Sequence, residues 1–347
     1  MQSSQAADRK YMNCALALAR EAWGMTSPNP MVGAVVVKDS VIVGRGFHHK
    51  AGTPHAEVHA LNDAGDLARG ATIYVTLEPC CTWGRTPPCT EAIKRAGIRR
   101  VVAACEDFNP AHAGKGFEIL RSAGIEVKVG VCRRAAIELN KAFFSYITRK
   151  RPYVILKMAM TLDGKIATES GDSKWITGSA ARRRVQELRR WCDAIMVGGQ
   201  TVRLDRPGLI VRDPENWPCQ PVKYIYTRSG KEALMQEYFP AGESIRCVAP
   251  QTPDDWESLL RDMAADNITA LLLEGGGELA AAAIQNKIVD EVEFHIAPKL
   301  LTGRNSRSVV GGVGPDKLAD AFELEKLDVK RAGNDLIVSG KTIYNGK

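Results

Sequence analysis

The chain has 347 residues, 45% hydrophobic and 25% charged, the balance of a globular protein with core enough for two domains and not of a disordered or fibrous chain. Its net charge of +7 is modest, with no arginine-rich tail to argue for nucleic acid, and suits an anionic small-molecule substrate or cofactor. No stretch reaches the roughly 18 apolar residues of a membrane span; the N-terminus shows no basic segment followed by an apolar run, and nine cysteines, an odd number, are expected as reduced thiols in the cytoplasm.

Helical periodicity runs through RKYMNCALALAREAW. MVGAVVVKDSVIVGRGF reads as a hairpin, two Val-rich runs joined at Lys38-Asp39-Ser40. AEVHALNDAGDLA follows as a helix, GATIYVTLEPC as a strand ending at Pro79, TEAIKRAGI as a helix stopped at Gly97, and RRVVAAC as the next strand. GKGFEILRSAGIEVKVGV repeats helix, glycine stop and strand, and such alternation predicts a three-layer α/β domain. In LNKAFFSYITRKRPYVILKMAM, the basic run Arg149-Lys150-Arg151 and Pro152 end a helix and a new strand begins. This divides the chain into residues 1–148 and 149–347. The second part alternates again through AARRRVQELRRW, AIMVG, VKYIYT, ITALLLEGGG, ELAAAAIQNK and EVEFHIAP, to a final pair near LEKLDVKRAGNDLIVSGKTIY. No internal repeat or low-complexity tract interrupts it.

Two stretches carry the chemistry of the first part, HAEVHA at 55–60 and EPCCTWGRTPPC at 78–89. Imidazole and thiolate are the usual zinc ligands, and three protein ligands leave a position for water. His55, Cys80 and Cys89 supply such a set. Zinc lowers the pKa of bound water toward about 7. Glu57, two residues after His55, is placed to pass a proton from that water to a leaving amine without being a ligand. H-x-E followed by Pro-Cys and a further cysteine resembles the signature of zinc nucleobase deaminases. It departs from that signature in one respect: eight residues, not two, separate Cys80 from Cys89. Cys81 competes with Cys80 for one role, and the Glu-Pro-Cys order favours Cys80. His59, one helical turn after His55, would complete a closed structural site; it is read instead as a packing residue beside the metal shell.

The inserted loop EPCCTWGRTPPC, with SPNPMVGAVVV and GFHHKAGTPHAEVHAL upstream, resembles the deaminase domain of bifunctional riboflavin-biosynthesis enzymes. The resemblance continues through YVILKMAMTLDGKIATESGDSKWIT, VGGQTVRLDRPGL and LLLEGGGEL, in the order expected of that family's reductase domain, and so covers nearly the whole chain. It implies an α/β fold in two parts: an N-terminal cytidine-deaminase-like three-layer domain and a C-terminal dihydrofolate-reductase-like domain. The first would deaminate a pyrimidine carrying a phosphoribosylamino group; the second would reduce the ribosyl chain to ribityl with NADPH. Carried over residue by residue, it makes His55, Cys80 and Cys89 the zinc ligands, Glu57 the proton shuttle, and Asn29 and His48 the lining of the pyrimidine pocket. An amide suits a pyrimidine edge because it offers both donors and an acceptor, although Asn29, between two prolines, also reads as a turn residue.

Hydride transfer asks the protein mainly for orientation and electrostatics. GGGELA at 275–280 fits G-x-G-x-x-A between a strand and a helix, but it comes too late in the chain for a first βαβ unit, so a dinucleotide-binding Rossmann reading is rejected. The resemblance instead assigns Gly276 and Gly277 to NADPH, together with Ala159, Trp175, Thr201 and Asp205. It assigns Ser173, Arg189, Leu209, Arg212 and Glu274 to the phosphorylated substrate. SAARRRVQELRRW is either a solvated arginine face or a helix with some arginines turned to phosphate, whose oxygens match the guanidinium fork. Thr201 and Asp205 are expected in a polar loop leaving an apolar strand, where α/β sheets bind ligands. Lys157 and Asp163 stand out as polar residues in an apolar strand region, without an assigned role. A homo-oligomer without nucleic-acid or membrane partners is expected. The competing readings are a zinc deaminase of a nucleic-acid base or free nucleoside, which would want stacking aromatics in a chain only 6% aromatic, and a non-catalytic nucleotide-binding protein with structural zinc, which would not need Glu57.

Overall fold

The two Val-rich runs form β1 (Gly33–Lys38) and β2 (Val41–Phe47), and Asp39 and Ser40 between them both take positive φ, at 48° and 64°. That two-residue turn matches the twist of the paired strands. The structure, a computed structural model, describes residues 2–83, 87–110, 112–230, 234, 238 and 245–344, and residues 84–86 of the inserted loop lie outside them. It divides into two compact units, Met1–Lys150 and Arg151–Lys347. Among the described residues no helix is long and apolar enough to cross a membrane.

In the first unit the chain continues through α1 (Gln2–Glu21) before the hairpin, then α2 (Ala56–Ala64), β3 (Thr72–Val75), α3 (Cys89–Arg95), β4 (Arg100–Ala103), α4 (Lys115–Ser122), β5 (Glu126–Val129), α5 (Arg133–Leu139) and α6 (Lys141–Arg149). The strand order is β2-β1-β3-β4-β5; β1 runs antiparallel to both neighbours, while β3, β4 and β5 are parallel. β1 is buried on both faces, so its sequence is a continuous apolar run and not an alternating one. A Cβ on Gly33 would stand 2.0 Å from Ala15 O of α1, and Cβ atoms on Gly44 and Gly46 would stand 2.2 and 2.4 Å from Ala60 O and Ala56 O of α2. Gly33 and Gly46 occupy adjacent rows of the β1–β2 ladder, so the two helices cover opposite faces. Glycine in β2 thus lets the helix bearing His55 and Glu57 lie flat against the sheet. The third strand stops at Val75, short of Pro79; the extended segment beyond it leaves the ladder and delivers Cys80.

The second unit contains β6 (Tyr153–Thr161), β7 (Lys165–Ala167), α7 (Ser179–Trp191), β8 (Ala194–Gly198), α8 (Gly199–Asp205), β9 (Val222–Tyr226), β10 (Ile245–Val248), α9 (Pro253–Ala265), β11 (Ala270–Glu274), α10 (Gly277–Gln285), β12 (Glu291–Ala297), β13 (Arg307–Ser308), β14 (Glu323–Ala332) and β15 (Asp335–Ile343). Eight strands form one sheet, β10-β9-β8-β11-β6-β12-β15-β14, parallel from β10 to β12 and antiparallel beyond; β7 and β13 pair separately. Its core joins Val154, Leu156 and Met158 of β6 and Leu271 and Leu273 of β11 to Trp256, Leu260 and Met263 of α9 and Leu279 and Ala283 of α10. α9 opens on a full capping box, Thr252 and Asp255 reciprocating, with Pro253 in its first turn. The polar loop expected at 201–205 is instead the short helix α8, because the chain leaving β8 turns straight into helical geometry at Gly199.

Candidate active site

His55 is the N-cap of α2, Cys80 lies on the segment after β3, and Cys89 is the first residue of α3. One ligand atom from each lies within 4.8 Å of the others, the only such group among the described residues. His55 Nδ1 is 3.2 Å from Cys89 Sγ and 3.4 Å from Cys80 Sγ, and the Cys89 N–H donates to Cys80 Sγ at 3.3 Å. The Cys89 thiol's hydrogen bond holds the Cys80 pKa down against burial, aided by His55, while Cys89 is pushed up by the same pairing and by burial. One imidazole and two thiols converging this closely are the donor set of a tetrahedral zinc site with three protein ligands. Cys81 points elsewhere, its Sγ 3.6 Å from His112 Nδ1. His59 packs its ring 4.6 Å from that of His49 and is not part of the group.

Glu57, 3% exposed, is in the first turn of α2. Burial, with the Cys80 charge adding to it, pushes its carboxyl up to about 7. A carboxyl poised there gives and takes protons at neutral pH. His48 is buried, its ring 5.3 Å from that of His55. Its Nδ1 lies 3.2 Å from the Pro54 carbonyl, which can only accept, so Nδ1 carries the proton and Nε2 accepts from Asn29 Nδ2 at 3.1 Å. Burial lowers the His48 pKa and keeps this ring neutral. Asn29 and His48, nineteen residues apart, are thus brought together one ring away from the three candidate metal ligands.

In the second unit the structure groups most of the expected residues in pairs. Thr201 of α8 stands against the glycine turn after β11: a Cβ on Gly276 would meet its Oγ1 at 3.2 Å and one on Gly275 its Cγ2 at 3.6 Å. Ser173 Oγ donates to Asp205 Oδ1 at 3.0 Å, and Lys174 Nζ donates to the Asp205 carbonyl at 2.9 Å. Trp175 is 65% exposed, with the Arg182 guanidinium 4.7 Å over its ring. Gly277 has no room for a side chain, the Ser308 carbonyl lying 2.8 Å from where its Cβ would be. Ala159 lies opposite His295 in the β6–β12 ladder. Leu209 is fully buried, and the Arg212 N–H donates to Gln186 Oε1.

Two arginines of this helix, Arg184 and Arg189, are held in forked pairs with carboxylates, while Arg183 stays exposed. Arg189 donates from Nε and Nη2 to the two oxygens of Glu274 at 2.8 and 2.7 Å, and from Nη1 to the Ile210 carbonyl at 3.0 Å. Arg184 grips Glu293 in the same forked way. Register places Glu274, Lys157 and Glu293 in one row across β11, β6 and β12. Lys157 therefore sits between two carboxylates, each already paired with an arginine of α7, and burial lowers its pKa against the pull of Glu274. Burial would raise the Glu274 pKa, but Arg189 more than reverses this. Asp163 serves a turn, its carboxylate accepting from Thr161 Oγ1 and the N–H groups of Leu301 and Thr302. Glu78, which the sequence marks only through the Glu-Pro-Cys order, ties the loop after β4 to the cysteine segment.

Residues 5–105 match the family model of the cytidine and deoxycytidylate deaminase zinc-binding region, and residues 152–338 match that of the RibD C-terminal domain. The riboflavin biosynthesis protein RibD of Aquifex aeolicus is 43% identical over 350 residues, covering 95% of this chain and 97% of that protein. Among solved structures, Acinetobacter baumannii RibD superposes with a TM-score of 0.89 at 39% identity, covering 98% of this chain and 100% of the other. The Thermotoga maritima diaminohydroxyphosphoribosylaminopyrimidine deaminase/5-amino-6-(5-phosphoribosylamino)uracil reductase does so with a TM-score of 0.87 at 35% identity, again covering 98% and 100%.

Proposed function

The chain belongs to the RibD family of bifunctional riboflavin-biosynthesis deaminase–reductases, and from that premise we propose how its residues divide the two reactions. The first unit deaminates 2,5-diamino-6-(5-phosphoribosylamino)pyrimidin-4-one. His55, Cys80 and Cys89 hold zinc, which when bound supplies a water activated at neutral pH. Glu57 is the proton carrier, taking a proton from the attacking water and delivering it to the departing amine. Asn29, its Nδ2 committed to His48, keeps its carbonyl oxygen for the donors on the pyrimidine edge. The observation that carries this reading is the convergence of one imidazole and two thiols beside a buried carboxyl raised to about 7.

The second unit reduces the ribosyl chain of the deaminated product to ribityl with NADPH. Gly275 and Gly276, at φ of 78° and 85° against Thr201, leave a bare backbone cradle that a side chain would fill, and such a cradle fits a cofactor phosphate. Ala159, Trp175, Thr201, Asp205, Gly276 and Gly277 are assigned to NADPH. Ser173, Arg189, Leu209, Arg212 and Glu274 are assigned to the substrate, with Arg189 acting as one member of its pair with Glu274. The working form is a cytoplasmic homo-oligomer turning over small phosphorylated pyrimidines. Incubating the pure protein with the diaminopyrimidine tests both halves. Mass analysis without NADPH should show an imino group exchanged for oxygen and ammonia released, and with NADPH a further two hydrogens gained. Ammonia release without any NADPH-dependent product would refute the reductase half; no ammonia from zinc-loaded protein would refute the deaminase half.

A further inference from the structure

One buried carboxylate joins the metal-ligand segment to the loop that follows β4. Glu78 is 4% exposed. Its Oε1 accepts the Gly116 N–H at 2.9 Å, and its Oε2 accepts the N–H groups of Asp107 at 3.1 Å and Gly114 at 2.9 Å. The fit is close: a Cβ on Gly116 would lie 2.3 Å from the Pro79 carbonyl and 3.1 Å from Glu78 Oε1. Three backbone donors offset the cost of burying the charge and fix the loop at both ends. The segment so held carries Asp107, buried and accepting the Asn109 N–H at 2.8 Å, and His112, whose ring meets Cys81. Parallel sheets open their ligand sites at the C-terminal ends of their strands. Cys80 follows the end of β3, and Asp107 to His112 follow the end of β4, its parallel neighbour. The same four residues, 78 to 81, therefore hold the loop, ligate the metal and meet His112 in turn.

We propose that Glu78 is a positioning residue of the deaminase centre: it sets the loop bearing Asp107, Asn109 and His112 as one wall of the substrate pocket, and so governs substrate binding without holding the metal. This rests on the deaminase reading of the first unit. The full chain carries its own control, because the reductase reaction uses other residues. Glu78→Gln keeps the size of the side chain but offers an amide NH2 to backbone donors. Glu78→Asp keeps the charge but is too short to reach all three. In Glu78→Gln, zinc by elemental analysis and reduction of the deaminated substrate should stay at wild-type levels. Deamination kcat/KM should fall about 10- to 100-fold, mostly through KM, the scale for displaced supporting residues. Glu78→Asp should fall between this and wild type. Unchanged deamination per zinc-loaded chain in Glu78→Gln overturns the proposal. So does zinc lost in step with activity, since Glu78 would then only fold the ligand segment. If Glu78→Gln does not fold, the same two readings of Glu78→Asp decide. Wild-type protein that binds zinc yet releases no ammonia would sink the deaminase reading and this proposal with it.

Discussion

The Arg189–Glu274 pair should behave as a unit in a double-mutant cycle. Both side chains are nearly buried, 12% and 11% exposed, and two charge-assisted hydrogen bonds of 2.8 and 2.7 Å join them. Arg189→Met removes the hydrogen-bonded partner and leaves a buried carboxylate with Lys157 and His295 as its remaining electrostatic neighbours, so the second unit should lose about 3–5 kcal/mol of stability. Glu274→Gln leaves the guanidinium similarly stranded and should cost a comparable amount. The double variant leaves no charge of the pair uncompensated, so its cost should fall short of the sum by on the order of 2–3 kcal/mol. Urea unfolding followed by tryptophan fluorescence reads this, since Trp175, Trp191, Trp217 and Trp256 all lie in the second unit. Arg189→Lys, which keeps charge but not the fork, should raise the substrate KM of the reductase and leave that for NADPH unchanged. Additivity within about 0.5 kcal/mol would refute the pairing, and would leave Arg189 with a free fork to meet the substrate phosphate alone.

Cys89→Ser should lose most of about one zinc per chain while Cys81→Ser keeps it, as elemental analysis will show; the reverse outcome would make Cys81, and not Cys89, the ligand. Glu57→Gln should keep zinc and reductase activity but lose deamination by about 10²-fold or more, the scale of general acid–base work. Asp8 tests the scaffold. Burial alone would raise its pKa, but hydrogen bonds from Arg100, Lys128 and Tyr74 hold it at about 2 against an ordinary 3.8. Its folded pKa is depressed, so its contribution, about 2 kcal/mol, is full above pH 3.8 and is lost as pH falls through about 2. Asp8→Asn should therefore destabilise the first unit at neutral pH, and the difference from wild type should shrink in acid urea titrations.

The hairpin was legible because Val-rich runs flank a two-residue turn, and α3 and α4 because each ends at a glycine of positive φ. α9 carries its start signal in Thr252-Pro253-Asp254-Asp255, a capping box with proline in the first turn. α8 is not legible as a helix, since a seven-residue helix rich in polar side chains has too little periodicity to register.

By itself the sequence picked out His55, Cys80 and Cys89 as a candidate donor set with Glu57 beside it, because ligand chemistry restricts those roles to a few residue types in a fixed order. It favoured Cys80 over Cys81 by the Glu-Pro-Cys order alone; the physical separation of the two thiols lies in where the backbone aims them as the segment leaves β3, Cys80 toward His55 and Cys81 toward His112. The sequence could not say what the arginines of α7 would touch. A guanidinium's partners depend on strand register, and only the pairing of β11, β6 and β12 put Glu274, Lys157 and Glu293 in one row beneath that helix. The partners of the glutamate before Pro79 were hidden from the sequence, since its three donors come from backbone amides 29 to 38 residues away; main-chain N–H groups carry no side-chain signature, and only the folded loop brings them to one carboxylate.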